Sequence, residues 1–575
     1  MNRFFAFSAF LALLGGCQSS ASLPPAPPPP AEQARQLPAE KPAPAASFTQ
    51  ETLFALLAAE IAGQRDHYDI ALQNYSAEAQ ATRDPGVAER AYRIAEYLNE
   101  QPASLENALL WAQVAPDNID AQRAAAIQLA RAGRYDESMN HMERVLQGQG
   151  NTHFDFLALS ASESDAQTRA GLLQSFDRLL AKNPGNGQLL FGKALLLQQD
   201  NQTEAALELL EDQPASSEEI SPLLLRVKLL ESLGRGEEAL PLLEDALEEH
   251  PQDPRLRLAY ARLLVEQGQL EAARAEFTIL LQQNPEDDDL RLSLALVSME
   301  AEAWNEAQAY LRDLIDRDSH VDIAHFNLGL IHEQLNDNEG ALIEYSLVGP
   351  GNEFLPAQAQ QTAILLREKR TSDARERLAK ARLSQPDYAV QLYMLEVESL
   401  AEAQHTELAW QTIQHALQEF PGDPNLLYTR AMLAEQRNDL GQMERDLRQV
   451  IKAEPDNAMA LNALGYTLAD RTTRYAEAQA LIERAHQLKP EDPAILDSLG
   501  WVYYRTGNLA QAESYLRQAW QRFPDAEIAA HLGEVLWAQG NQAEAREVWA
   551  AAYQQQPDNS ILRSTLQRLT GSESP

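Results

Sequence analysis

Apolar side chains recur along this chain at helical spacing, in paired runs that proline closes off. In residues 493–524, Leu496, Leu499 and Gly500 share one face of a predicted helix, and Tyr503 follows one turn later. Gly507 interrupts the pattern and offers the left-handed backbone that ends a helix. A second apolar run begins at Ala512 and continues through Leu516 and Ala519 until Pro524 stops it. The spacing predicts a helix, a turn and a second helix folded back on the first. Gly500 and Ala512 are small where two helices must approach closely, and the leucines and Tyr503 fill the space around them.

The pattern repeats. Pro251, Pro285, Pro386, Pro421, Pro455, Pro490, Pro524 and Pro557 are separated by 34, 101 (three units), 35, 34, 35, 34 and 33 residues. The same set returns as Leu532, Gly533, Gly540, Ala545, Trp549, Ala552 and Pro557, and earlier as Ala261, Gly268, Ala273, Phe277, Leu280 and Pro285. Leu464, Gly465, Ala478, Leu481 and Pro490 form another copy, with one residue inserted near Arg471 to Arg474. Copies around Ala374, Leu378 and Ala381, and around Ala409, Ile413 and Ala416, are weaker. Towards the N-terminus only the phase survives, at Ala71, Tyr75, Pro116, Gly133, Met142, Phe176 and Pro184. A two-helix unit of this length resembles the tetratricopeptide repeat (TPR). The resemblance implies an all-α fold, a right-handed superhelical solenoid whose units touch only their neighbours and whose first helices line an inner groove. By phase, about fifteen units fit between residues 50 and 557. Irregular units are expected at 151–172 and at Gly349-Pro350-Gly351. The solenoid is assigned to 48–557, and a cap helix and tail to 558–575. In the cap, Ile561, Leu562, Leu566 and Leu569 are expected to face inward, and Arg563, Ser564 and Arg568 to face water.

The N-terminus has a different composition. Residues 1–16 combine Arg3 with an apolar stretch from Phe4 to Leu14, too short for a permanent transmembrane helix, and read as a secretory signal. Leu14-Gly15-Gly16-Cys17 resembles the lipobox of bacterial lipoproteins. That resemblance implies a diacylglycerol on the Cys17 thiol and cleavage that leaves Cys17 as the first residue of the mature chain. Gln18, where an aspartate would favour the inner membrane, implies the outer membrane and its periplasmic face. The alternative is an ordinary signal peptide with a chance cysteine, yet Cys17 is the sole cysteine of the chain. Residues 17–47 form a linker in which Pro24, Pro25, Pro27 to Pro30, Pro38, Pro42 and Pro44 exclude helix. At about 3.1 Å per residue this spacer could hold the body up to about 90 Å from the membrane.

Charge and chemistry narrow the function. With 47 basic against 85 acidic residues the net charge is −38, which repels nucleic acid and anionic headgroups. One cysteine leaves the body no disulfide, cysteine metal site or thiol nucleophile. Phosphate-loop, HExxH and GxSxG patterns do not occur, and neither a metal nor another cofactor is expected beyond the lipid. His325 and His332, with Glu333, could suggest a metal but read better as packing or groove histidines. Glu286-Asp287-Asp288-Asp289 could suggest calcium, yet it stands where carboxylates favour a helix N-terminus. Asn183-Pro184-Gly185-Asn186-Gly187 reads as a turn between units.

What remains is protein binding. By phase, Tyr428, Met432, Tyr466, Trp501, Tyr504, Arg505 and Trp537 face the groove, and aromatics and arginine are frequent interface anchors. The alternative is that they pack between adjacent units. In the first helix Leu53, Phe54, Leu56, Leu57 and Ile61 cover a wider arc than one neighbour can bury. Leu53, Leu56 and Leu57 are therefore expected to face a partner, or a second copy of the chain. The lipobox, the spacer and the repeats ending in Leu499-Gly500-Trp501 and Leu532-Gly533 together resemble the LbcA-type outer-membrane TPR lipoproteins of pseudomonads. That resemblance implies a non-catalytic adaptor. Its partner would be the periplasmic carboxyl-terminal processing protease, a serine protease that it activates, and it would deliver peptidoglycan hydrolases as substrates. The competing reading is an assembly scaffold for a secretion, pilus or polysaccharide-export machine. An enzyme hidden in the irregular units is the third.

Overall fold

The computed structural model describes residues 48–148, 152–162, 164–211 and 220–575. The signal peptide, the lipidated Cys17 and the linker expected in 1–47 lie outside the described residues. The chain divides into two compact units, one ending at Arg317 and the other spanning Asp318–Pro575.

Among the described residues there are 31 α-helices and no strands, so the all-α solenoid expected from the repeat is what forms. Fifteen consecutive pairs run from Gln50 to Gln555, and Ser560–Thr570 stands alone after them. The pairs begin for a local reason. Asp253, Asp423 and Asp492 each sit just before a proline at the first helical position, and each side chain accepts hydrogen bonds from the next free backbone amides. Asn118, Asn186, Asn457 and Asn559 do the same without the proline.

The turn inside most pairs uses one residue with left-handed backbone. Gly268, Gly507 and Gly540 supply it at φ 71°, 87° and 91°. In the weak copies the geometry survives without glycine: Asn201, Glu302, Lys369, Gln404 and Asn438 hold the same position at φ 56–63°. The unit with the inserted residue uses neither. Thr472 there is extended, and its hydroxyl donates to the Leu468 carbonyl at 2.5 Å.

Packing within each pair follows the small residues. A Cβ on Gly500 would lie 3.1 Å from the Ala512 carbonyl oxygen, and one on Gly465 would lie 3.1 Å from that of Ala478. Those contacts place Leu516 and Ile482 directly over the glycines. In the first two pairs alanines carry the same role, with Ala59, Ala71, Ala79, Ala88 and Ala91 almost fully buried.

The two irregular stretches are short helices. Phe154–Ser160 has seven residues and packs on Gly187–Gln199, where a Cβ on Gly192 would meet the Phe154 carbonyl oxygen at 2.9 Å. Asn338–Ser346 has nine residues, and beyond it the Gly349 amide donates to Asp322 Oδ1 at 2.6 Å. The cap helix departs from expectation at one position. Ile561 is on the solvent side and Thr565 is buried in its place beside Leu562 and Leu566. Arg568 stays exposed as expected and also pairs with Glu534 at 2.5 Å.

Candidate functional site

Three surfaces collect the residues singled out by sequence, two of them in the C-terminal unit. The first is the N-terminal helix Gln50–Gly63. It packs through Ala59, Ala62 and half-buried Leu56 against Tyr68–Thr82, where Ala71, Tyr75 and Ala79 are buried. Leu53, Phe54, Leu57 and Ile61 are left 54, 74, 61 and 42% exposed. The outward face expected for Leu53 and Leu57 is there, but Leu56 belongs to the core. Phe54 and Ile61 complete the face, which with Ala58, Arg65 and His67 borders a shallow hollow.

The second surface is a cavity of about 700 Å³ across three successive first helices, Ala389–Glu402, Pro424–Gln436 and the start of Ala458–Arg471. Tyr428 and Met432 lie in it, joined by Met394 and Met459. The Tyr428 hydroxyl makes no hydrogen bond among the described residues, and burial with nearby Glu435 pushes its pKa up.

The third set is closed. Trp501 is 6% exposed and stacks on the buried His531 ring at 4.2 Å, while its Nε1 donates to Asp470 at 3.2 Å. The Tyr466 hydroxyl donates to Glu527 at 2.8 Å and that of Tyr504 to Glu534 at 3.1 Å. Arg505 donates to the Asp470 carbonyl at 2.9 Å and to the Tyr475 hydroxyl at 3.0 Å. Trp537 is half-buried beside Trp549, with Arg546 over its ring at 5.4 Å. Tyr466, Trp501, Tyr504 and Arg505 therefore stitch repeats together, while Trp537 packs within its own. Trp501 offers almost no surface to a partner.

Sequence reading missed the centre of this stitch. His531 Nδ1 lies 2.9 Å from Asp497, with Glu527 and Glu534 beyond. Burial alone would depress the imidazolium, but Asp497 and the two glutamates override it and hold the pKa above the ordinary histidine value. Burial likewise raises Glu527. Glu527 and Glu534 lie one turn to either side of His531 on its own helix, but Asp497 comes from the preceding repeat and no motif marks that contact.

The remaining candidates are structural. His325 faces Glu344 at 2.7 Å and His332 faces Asp337 at 2.8 Å, so they serve different carboxylates. Asp287 caps Asp288–Glu300 by accepting from the Leu290 amide, and Glu286 and Asp288 bind Arg317 at 2.6 and 2.8 Å. Asn186 caps Gly187–Gln199, and Gly185 takes the positive φ of the turn before it.

Models of the tetratricopeptide repeat match residues 230–297, 292–348, 428–493 and 498–560. The "TPR repeat-containing protein PA4667" of Pseudomonas aeruginosa is 64% identical over 575 residues, covering all of this chain and 98% of that protein. The chain belongs to the tetratricopeptide-repeat family. Within this TPR protein a shorter stretch, 19% of the chain, is 31% identical to 11% of "Bacteriophage adsorption protein A" of Escherichia coli. Among solved structures, yeast Tom70 aligns with 90% of the chain and 99% of its own at 15% identity, with a TM-score of 0.29, too low to build on. TPR folds are typically non-catalytic scaffolds that bind protein partners.

Proposed function

We propose that this TPR protein is a lipid-anchored adaptor at the periplasmic face of the outer membrane. It binds and activates a carboxyl-terminal processing serine protease and brings peptidoglycan hydrolases to it. The observation that carries the binding role is the terminal helix, where Leu53, Phe54, Leu57 and Ile61 stay exposed in a position that a solenoid end normally makes polar. The protease and the hydrolases come from the likeness of lipobox, spacer and repeats to the lipoprotein adaptors. The lipid anchor on Cys17 supports membrane retention, since two or more acyl chains anchor stably.

The test is affinity capture of the full chain from detergent-solubilised envelope, followed by a proteolysis assay with the captured protease. A processing protease together with wall hydrolases, and faster hydrolase cleavage when the chain is added, are the expected results. Pilus or secretion subunits in the eluate would replace this reading with an assembly scaffold.

A further inference from the structure

The cavity in the C-terminal unit combines two features that point to one kind of ligand. Its floor is apolar and soft: Met394, Val397, Tyr428, Met432, Leu433 and Met459, the last 56% exposed. Three methionines from the first helices of three successive pairs meet at this one hollow. Methionine is flexible and polarisable, so such a floor accepts apolar side chains of different shape.

The rim carries charge of one sign. Glu398 and Glu402 stand one turn apart on Ala389–Glu402, and neither makes an ion pair among the described residues. Like charges at that spacing repel. Burial, then the neighbouring Glu402, raise the Glu398 carboxyl. Several other acidic groups near first helices of this unit are matched. Glu396 takes Arg375 and Arg382, Asp446 takes Arg430, and Glu444 takes Arg448 and Arg474. Glu398 and Glu402 thus leave this rim without a matched cation among the described residues. Asn425 and Gln436 add exposed side-chain amides that bond nothing within the described residues. The hollow runs across three helices, which suits an elongated chain better than a compact ligand.

We infer that this cavity takes a segment of a partner protein in which an apolar side chain is flanked by lysine or arginine. The apolar side chain enters between Met394, Tyr428 and Met432, and the cations sit on Glu398 and Glu402. The amides of Asn425 and Gln436 and the Tyr428 hydroxyl serve the backbone of the segment. The inference rests on the reading of the chain as a protein-binding adaptor and names the chemistry of what one of its surfaces holds.

Its test needs neither protease nor membrane, so it fails or succeeds apart from the adaptor reading. Purified full chain is titrated at low salt against fluorescein-labelled dodecapeptides of alternating Lys–Leu, Lys–Ser and Glu–Leu, followed by anisotropy. The Lys–Leu peptide should bind at least about tenfold tighter than the other two. Glu398→Gln with Glu402→Gln should weaken it about tenfold, and Met432→Arg should weaken it at least as much. Glu204→Gln with Glu547→Gln removes the same charge from exposed sites elsewhere and should leave binding unchanged. Circular dichroism verifies that each variant is folded. Equal binding of the three peptides, or equal loss in the rim pair and the control pair, overturns the inference.

Discussion

Gly500 shows how much one residue decides. A methyl group there would press on Leu516 and on the Ala512 carbonyl, so Gly500→Ala should destabilise the C-terminal unit by about 1–3 kcal/mol, as overpacking generally does. Urea unfolding followed by fluorescence measures it, and an unchanged midpoint would refute the close-approach account. Gln404 presents the opposite case, a side chain held at φ 63° where other repeats use glycine. Left-handed backbone costs about 1–2 kcal/mol for most residues, while glycine loses about 0.5–1 kcal/mol in chain entropy. Gln404→Gly should therefore leave stability level or raise it by up to about 1 kcal/mol. His531 sets a pH dependence. Its folded pKa lies above its unfolded value of 6.5, so its contribution is complete below about pH 6.5 and is lost as pH rises through the folded value. The raised carboxyl of Glu527 works in the same direction. Thermal unfolding should show stability falling from pH 6 towards pH 9, with a flatter profile in His531→Gln. A profile unchanged by the substitution would remove His531 as its cause. Gly500 was readable from the repeat. His531 was not, because its hydrogen-bond partner Asp497 comes from the preceding repeat and is identified by contact.

At the scale of elements, the first helix separates packing from binding. Leu53 and Leu57 are each more than half exposed, so Leu53→Glu with Leu57→Glu should change stability by less than about 0.5 kcal/mol per site. The same pair should weaken capture of the protease at least about tenfold. Retained affinity in a helical double variant would move the binding surface elsewhere. Hydrophobic periodicity revealed the apolar arc of this helix. It could not divide the arc, because the pitch of the neighbouring helix decides that Leu56 turns in and Phe54 turns out. The same limit applies to the groove residues. Phase puts Tyr466, Trp501 and Tyr504 on the groove face of first helices, and close contact between repeats turns that face into core. Tyr428 and Met432 share the phase but lie where the helices leave a hollow.

For the whole molecule, charge and tether shape what can bind. If basic hydrolases are drawn by a surface of net charge −38, their association should weaken steeply when salt rises from about 0.05 to about 0.5 M, since screening shortens to a few ångströms. Binding indifferent to salt would exclude that role for the acidic surface. Replacing Cys17 by serine should move the protein from the membrane fraction to the soluble periplasm if the lipid is its anchor, and unaltered fractionation would reject it. The sequence by itself determined the repeat, the helix pairs and the caps, because hydrogen bonding and apolar period act between residues a few positions apart. It also located the small residues that let helices meet. Only the tertiary structure decided which aromatic side chains became core, which carboxylates found arginines, and where methionines and unmatched glutamates stayed open. Those outcomes depend on how far apart successive helices settle, a distance set by packing summed over many side chains and carried by no single motif.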